Sequence, residues 1–400
     1  LCQHHKKIHT GAKRQVRVQK GFKYRLKPTE EQKQLLLQQG GNARFLWNHL
    51  LANNIQHHKT TGKFKFAHEM VVSIPKIKEE HDFLKLSFSQ SLQTVARDLD
   101  KAMKSCFKQQ TRFPRFKRKA LQRDSFTIPQ KWRLSKGYVF IPKVGEVKWI
   151  KHRPLQGEPK KITITQDGDH WYCSVLCELQ LPDRPKDTSN LVGIDVGLKS
   201  FATLSDGGVI DNPKHLNKSE KRLAEAQRSL SKKVKNSQNR KRQRKQVQKL
   251  YRKIRNQRLD FLHKTSASVI AKHAVVLEDL DVQGMMKNRS LSKAISDAGW
   301  FEFKRQLEYK AQWKGKLFIT IERKEPTSKR CSSCGNIQDM PLGKTIYSCP
   351  ACGMTMGRDL NAARNILEIG LNTAGRAGIN ACGVGTGVPT MKQEKECLVN

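Results

Sequence analysis

Apolar positions change period several times along this chain. Residues 21–27 alternate, with Phe22, Tyr24 and Leu26 on one side, and predict a strand. Pro28-Thr29 then opens a helix, and Gln32 stands in capping-box position relative to Thr29. Gly40-Gly41 is expected to break that helix before a second one through Phe45, Leu46, Leu50 and Ile55. A third helix is expected over about residues 87–110, where Leu92, Val95, Leu99, Met103 and Phe107 recur at helical spacing. From residue 112 to 177 the pattern turns to short alternating runs. Residues 161–165 and 171–177 flank Asp167-Gly168, a strong hairpin signal. This order suggests a small β-barrel interrupted by a helical block, with a linker around Pro182, Pro185 and residues 187–190.

The second half reads as α/β. Residues 191–197 form a short apolar strand with one carboxylate, Asp195, inside it. Residues 201–204 and 209–210 flank Ser205-Asp206-Gly207-Gly208 and predict a hairpin. Residues 221–258 carry only a narrow apolar stripe, which predicts long helices. Residues 274–278 form a second apolar strand ending in Glu278. An amphipathic helix follows around 300–313, a strand at 317–321, and a helix over 360–369 opened by Asp359.

Charge narrows the function. The 400 residues hold 77 Lys and Arg against 35 Asp and Glu, a net charge of +42. Such a chain binds polyanions in a salt-dependent way, a field that an enzyme acting on small molecules does not need. Its length implies two or three domains, and 37% hydrophobic residues suffice to build their cores. No apolar run approaches the roughly 20 residues of a membrane span, so the expected setting is intracellular, and ten scattered or metal-spaced cysteines suggest a reducing one. Leu1 in place of Met suggests a clipped, alternative-start or truncated terminus. Residues 1–20 read as a basic, disordered extension. His5, His9, Thr10, Gly11 and Lys13 look like half of a zinc finger, but only Cys2 is available as a partner thiol. The Gly-, Ala- and Thr-rich tail, 372–400, reads as disordered.

Three constellations carry chemistry. Cys331-x-x-Cys334 and Cys349-x-x-Cys352 lie fourteen residues apart, each pair followed by Gly, and predict one structural Zn²⁺ with a filled coordination sphere. Asp195, Glu278 and Asp359 sit at strand interiors, strand ends and helix starts, where acids converge on divalent cations. Each also has a plain reading: a turn before Gly197, a solvated strand end beside Asp279, an N-cap. Residues 221–258 contain 16 Lys or Arg and one acid, Glu225. That imbalance favours phosphate contact over a merely solvated face, with Lys232, Lys233, Arg240, Arg242 and Arg244 as candidates. Phe66 and His68, in a basic-aromatic loop at 64–68, are candidates for a groove edge, with core or plain loop equally open.

At these residues the sequence resembles the TnpB family, transposon-encoded RNA-guided DNA nucleases related to the type V CRISPR effectors. The resemblance rests on Gly193-Ile194-Asp195-Val196-Gly197, on Leu277-Glu278-Asp279-Leu280, and on residues 357–365, Gly-Arg-Asp-Leu-Asn-Ala-Ala-Arg-Asn. Further family-like stretches are residues 43–48, Phe113-Pro114-Arg115-Phe116-Lys117 and residues 295–300. It covers about residues 21–371.

The resemblance implies a multidomain α/β plus β-barrel protein. A wedge barrel would comprise 21–40 and 112–185, with a helical recognition domain at 41–111. An RNase H-like (RuvC) nuclease domain would comprise 186–327 and 354–371, split by a zinc ribbon at 328–353. Asp195, Glu278 and Asp359 would hold two Mg²⁺ about 4 Å apart. Arg358 and Asn361 would steady the scissile phosphate, with helix packing equally open for Asn361. The expected partners are a guide RNA from the transposon end, one protein per RNA, and double-stranded target DNA beside a short adjacent motif. A nuclease-inactive RNA-guided repressor and a guide-independent transposase are the alternatives.

Overall fold

The computed structural model describes residues 15–119, 124–183, 185–323, 325–341 and 343–376. Most of the predicted extension and the tail beyond Arg376, including Cys2, His5 and His9, lie outside the described residues. The chain forms two compact units that meet at Pro182/Asp183.

In the first unit, β1 (Gln15–Lys27) is followed by α1 (Glu30–Thr61), α2 (Ala67–Glu80), a 3₁₀ turn (Asp82–Leu86) and α3 (Ser89–Phe107). Six strands complete it: β2 (Ser125–Ile128), β3 (Arg133–Leu134), β4 (Tyr138–Ile141), β5 (Gly145–Ile150), β6 (Glu158–Asp167) and β7 (His170–Pro182). All pair antiparallel in the order β2-β6-β7-β1-β5-β4-β3. The expected barrel is therefore an open sheet: among the described residues no ladder joins β2 to β3, and β3 is only two residues long. One core unites sheet and helices, with Phe22, Tyr24 and Leu26 of β1 packed into the cluster that holds Leu36, Leu46, Leu92 and Leu99. Burying each such side chain contributes about 2 kcal/mol.

Three sequence expectations change here. Residues 15–20 are not a loose arm but the first half of β1, paired with β7 from Gln15↔Pro182 to Lys20↔Cys177. Gly40-Gly41 does not break the helix: α1 runs 32 residues from the Thr29–Gln32 capping box to Gly62. A Cβ on Gly40 would lie 2.8 Å from Cβ of Asp124, so a small residue lets that strand-leading segment approach α1. That gain offsets the roughly 1 kcal/mol propensity cost of a helical glycine. The loop foreseen at 64–68 ends at Phe66, which flanks α2, while His68 lies in its first turn.

The second unit contains β8 (Leu191–Val196), β9 (Ser200–Leu204), β10 (Val209–Asp211), α4 (His215–Ser231), α5 (Gln238–Lys272) and β11 (Ala274–Glu278). Then come α6 (Val282–Met285), α7 (Ser292–Ala298), α8 (Trp300–Lys314), β12 (Phe318–Ile321), β13 (Ile346–Ser348), β14 (Thr355–Gly357) and α9 (Arg358–Arg376). The sheet order is β10-β9-β8-β11-β12, antiparallel from β10 to β8 and parallel from β8 to β12. This is a RuvC-like region, and the β13–β14 hairpin with its four cysteines is inserted between β12 and α9. Gly370 and residues 372–376 belong to α9, so the tail begins later than its composition suggested.

Candidate active site and metal centre

The carboxylate site is assembled by register and by one close approach. Leu277 of β11 lies level with Ile194 of β8 in a parallel pair. One step further, at the carboxyl ends of these central strands, Asp195 and Glu278 stand side by side, where ligands bind in α/β sheets. A Cβ on Gly193 would lie 2.1 Å from the Ala363 carbonyl and 2.7 Å from the Leu367 amide. So α9 rests directly on the β8 backbone. Asp359 is one turn before Ala363, and Asp195 is two residues after Gly193 on the same face, so the contact carries the helix start toward the strand ends.

The electrostatics register this grouping. Burial pushes the Asp195 carboxyl up to about 7, and the charges of Asp359 and then Glu278 push the same way, against Arg358. Burial also raises Glu278, opposed by the Thr327 hydroxyl, which donates to its Oε2 at 3.5 Å. Asp279, next in sequence, is different: salt bridges from Lys304 at 2.5 Å and Arg323 at 2.7 Å hold it below the usual carboxylate range. It is a neutralised structural acid, whereas Asp195 and Glu278 are held at a cost. Three acids gathered without equal counter-charge fit a divalent cation with hard oxygen ligands, the donor set expected of magnesium. Among the described residues they do not draw within 4.8 Å of one another; only the four cysteines do.

Those cysteines form two matching knuckles. The Gly335 amide donates to Cys331 O and the Gly353 amide to Cys349 O, both at 3.0 Å, and both glycines have positive φ. Sγ–Sγ distances of 3.7 Å (Cys331–Cys352) and 3.6 Å (Cys334–Cys349) match the roughly 3.8 Å edge of a tetrahedron with 2.3 Å Zn–S bonds. At Cys349 burial is outweighed by the Cys352 and Ala351 amides, and the thiol is drawn down to about 6, whereas Cys334, despite the Asn336 amide, is pushed up to about 12 by its hydrogen bonds with the other thiols, so the four share protons among themselves. The thiols thus fit one structural zinc.

Sequence reasoning missed the fastening between the two centres. Asn361, fully buried, donates to Arg330 O at 2.7 Å and accepts from the Ser332 amide at 2.9 Å. Asn365 donates to Thr327 O at 2.8 Å and Arg330 O at 2.6 Å, and Arg330 pairs with Glu368 at 2.7 Å. The first knuckle is therefore tied to the helix that presents Asp359. This corrects the phosphate-steadying role for Asn361, whose amide is consumed by backbone. Arg358 bonds Asp359 Oδ1 at 3.1 and 3.2 Å and the Lys344 carbonyl at 3.0 Å. The spacing of Asn361 and Asn365, one turn apart and following Asp359, was the available signal.

Among the basic candidates, Lys232, Lys233, Arg242 and Arg244 are exposed on the α4–α5 hairpin. Arg240 is not: its Nη1 donates to Leu230 O at 2.8 Å and Lys233 O at 2.7 Å, which closes the end of α4. Asp297 accepts from Arg258 at 2.7 Å and from the Leu216 amide at 2.8 Å, stapling α7 to α5 and to the start of α4. In the first unit, Phe66 and His68 are exposed, and Lys104 Nζ lies 5.3 Å from the centre of the Phe66 ring.

Three family descriptions match. Residues 174–289 match OrfB_IS605, "Probable transposase"; residues 300–366 match the Cas12f1-like TNB domain; residues 18–63 match a helix-turn-helix domain. Over that last span the structure has a strand and one continuous helix. The chain is 36% identical over 399 residues to a Streptomyces pristinaespiralis protein named "Putative RNA-guided DNA endonuclease", covering 95% of this chain and 97% of the relative. It is 35% identical over 400 residues to InsQ of Escherichia coli (strain K12), which bears the same designation, covering 94% and 98%. A Cas12f1 chain solved in complex with single guide RNA and target DNA shares the fold at a TM-score of 0.54 and 13% identity, over 88% of this chain and 98% of that one. Among the described residues no helix is long and apolar enough to cross a membrane. By its sequence, its RuvC-like region and its four-cysteine TNB domain, the chain belongs to the TnpB (OrfB) family of IS605-type transposons, related to Cas12f1.

Proposed function

We propose that this protein is an RNA-guided DNA endonuclease that cuts double-stranded DNA beside a short transposon-adjacent motif. The observation that carries the reading is the convergence of β8, β11 and α9, whose register and close packing at Gly193 put Asp195 beside Glu278 and bring the Asp359 helix start toward them; the raised Asp195 carboxyl agrees with it. Asp195, Glu278 and Asp359 would hold two magnesium ions. Bound magnesium supplies Lewis-acid stabilisation of the charge that develops at phosphorus and lowers the pKa of water.

The chain's own groups do the rest. Thr327 steadies Glu278, and Arg358 holds the first-turn position of Asp359 by its paired bonds to Oδ1. Gly193 fixes the distance of α9 from the strand ends. Zinc would keep the knuckles folded against Asn361 and Asn365 and so keep α9 in place.

The partners are a guide RNA from the transposon end and a target duplex, a reading supported by the fold shared with a Cas12f1 chain solved with single guide RNA and target DNA. In this reading the seven-stranded sheet is the wedge, α1–α3 the recognition block with Phe66 and His68 toward the adjacent motif, and the α4–α5 cations a phosphate contact. The test is plasmid cleavage by the ribonucleoprotein with magnesium. Cutting that needs the RNA and disappears in Asp195→Ala supports the proposal. An Asp195→Ala protein that still cuts, or strand transfer without RNA, overturns it.

A further inference from the structure

A groove of about 860 Å³ opens in the first unit, on the same element that carries the unbroken helix α1. Gly40, Arg44, Trp47 and Asn48 lie at i, i+4, i+7 and i+8, on one face of α1. This face grips the extended segment that follows α3. Trp47 Nε1 donates to Arg115 O at 3.1 Å. Asn48 closes a two-way clasp on Lys117: its Oδ1 accepts from the Lys117 amide at 2.8 Å, and its Nδ2 donates to the Lys117 carbonyl at 3.0 Å. The Lys117 ammonium sits 3.8 Å from the centre of a Trp47 ring. Arg44 is spent on an ion pair with Asp124, and both side chains are largely buried.

With its backbone pinned from one side, the segment turns its other side chains outward. Phe116 is 52% exposed, and Arg115 and Arg118 flank it, also exposed. Asp124 is the acid lining the groove and is already paired, so among the described residues Arg115 and Arg118 meet no carboxylate there. A large exposed aromatic between two exposed cations, on a backbone fixed by side-chain bonds, offers a ring face and positive charge at one fixed place. An unpaired nucleotide supplies both complements: a base face for the ring and phosphates for the guanidinium groups. Paired bases inside a duplex present no face to a ring standing on a protein surface.

We infer that the clasped segment around Phe116 is a binding site for an unpaired nucleotide of the guide RNA, with Phe116 stacking on the base and Arg115 and Arg118 on the adjoining phosphates. This rests on the RNA-guided reading above, and deepens it by naming where the first unit holds single-stranded RNA. RNA is the occupant rather than substrate DNA because the site is preformed on the unit without the carboxylates, as suits a resident partner.

The probe is the RNA that co-purifies with the full-length protein, sequenced, transcribed and titrated against purified variants at several salt concentrations. Phe116→Ala should weaken RNA binding about tenfold with an unchanged salt slope. Phe116→Trp should bind like the unaltered protein, since the indole offers the same face. Arg115→Gln with Arg118→Gln should weaken binding and lower the salt slope by about 1.4. Unchanged RNA affinity in Phe116→Ala overturns the inference, and so does loss of target-DNA affinity with RNA affinity intact. The underlying reading fails separately, if the unaltered protein with its RNA does not cut DNA.

Discussion

The second unit gathers two sets of anionic ligands, and they are built in opposite ways. The four thiols close to within 4.8 Å of one another. The three carboxylates do not close that far as a set among the described residues, and burial, then the charges of Asp359 and Glu278, push the Asp195 carboxyl up to about 7. A structural site can be closed by local turns, because its ligands lie within a few residues of glycines that shape the knuckles. On the proposed function the carboxylate site must stay open to substrate and keep charge unpaired, so its stability would be supplied by the fold around it. Here that outside support is the bond network of Asn361, Asn365 and Arg330, which makes the closed centre a brace for the open one.

The largest expected effect separates the two centres completely. Asp195→Asn should reduce cutting by about a thousandfold or more, since a neutral amide cannot replace an anionic oxygen on a hard cation. Zinc content, measured by elemental analysis, should stay at one per chain, and RNA binding within about twofold. Cutting retained in this variant would break the comparison at its open end.

Next is removal of the closed centre. Cys331→Ser should lose the zinc and lower the melting temperature by about 5–10 °C. Cutting should fall with it, although no cysteine stands among the carboxylates. A zinc-free variant that still cuts at the normal rate would mean that the brace is dispensable.

The connection itself comes third. Asn361→Ala leaves the Arg330 carbonyl and the Ser332 amide without their partner, which should cost about 2–3 kcal/mol of stability by denaturant titration. Zinc should be retained while the cutting rate falls about tenfold, the signature of a helix start displaced from its strands. A stability loss with no change in rate would reduce Asn361 to packing.

The smallest effect is on pH. The Asp195 carboxyl is raised, so between about pH 4 and 7 the folded state holds a proton that the unfolded state has released. Stability from this group is therefore present at low pH and declines as pH rises through that window. At limiting magnesium, cutting should rise with pH through about 7, and added magnesium should move the midpoint down as it competes with the proton. Metal-free Asp195→Asn should melt higher than the unaltered protein at pH 7.5. A pH profile that ignores magnesium concentration would contradict the shared site.

What the sequence disclosed follows the same division. The cysteine pattern was legible because two short spacings and two glycines specify a knuckle locally. The Thr29–Gln32 cap was legible for the same reason. The carboxylates stood out one by one, but their grouping depends on the Leu277–Ile194 register and on the bare face of Gly193, neither of which leaves a local mark. Gly40 misled because its role is to admit Asp124, a residue far along the chain. Helix α2 went unread because Pro75 interrupts its pattern, and Arg240 read as a free cation although it closes the end of α4. At Gly40 a distant partner overrode local propensity, whereas α2 and Arg240 were misread on their local pattern.

One measurement bears most directly on the three acids acting as one site. Ferrous ion substituted for magnesium in the ribonucleoprotein, with ascorbate and peroxide, cuts the backbone next to the residues that bind it. Three breaks, beside Asp195, Glu278 and Asp359, all lost together in Asp195→Asn, are the predicted result. Breaks at one of these positions only, or at all three in the Asp195→Asn protein, would contradict a shared cation.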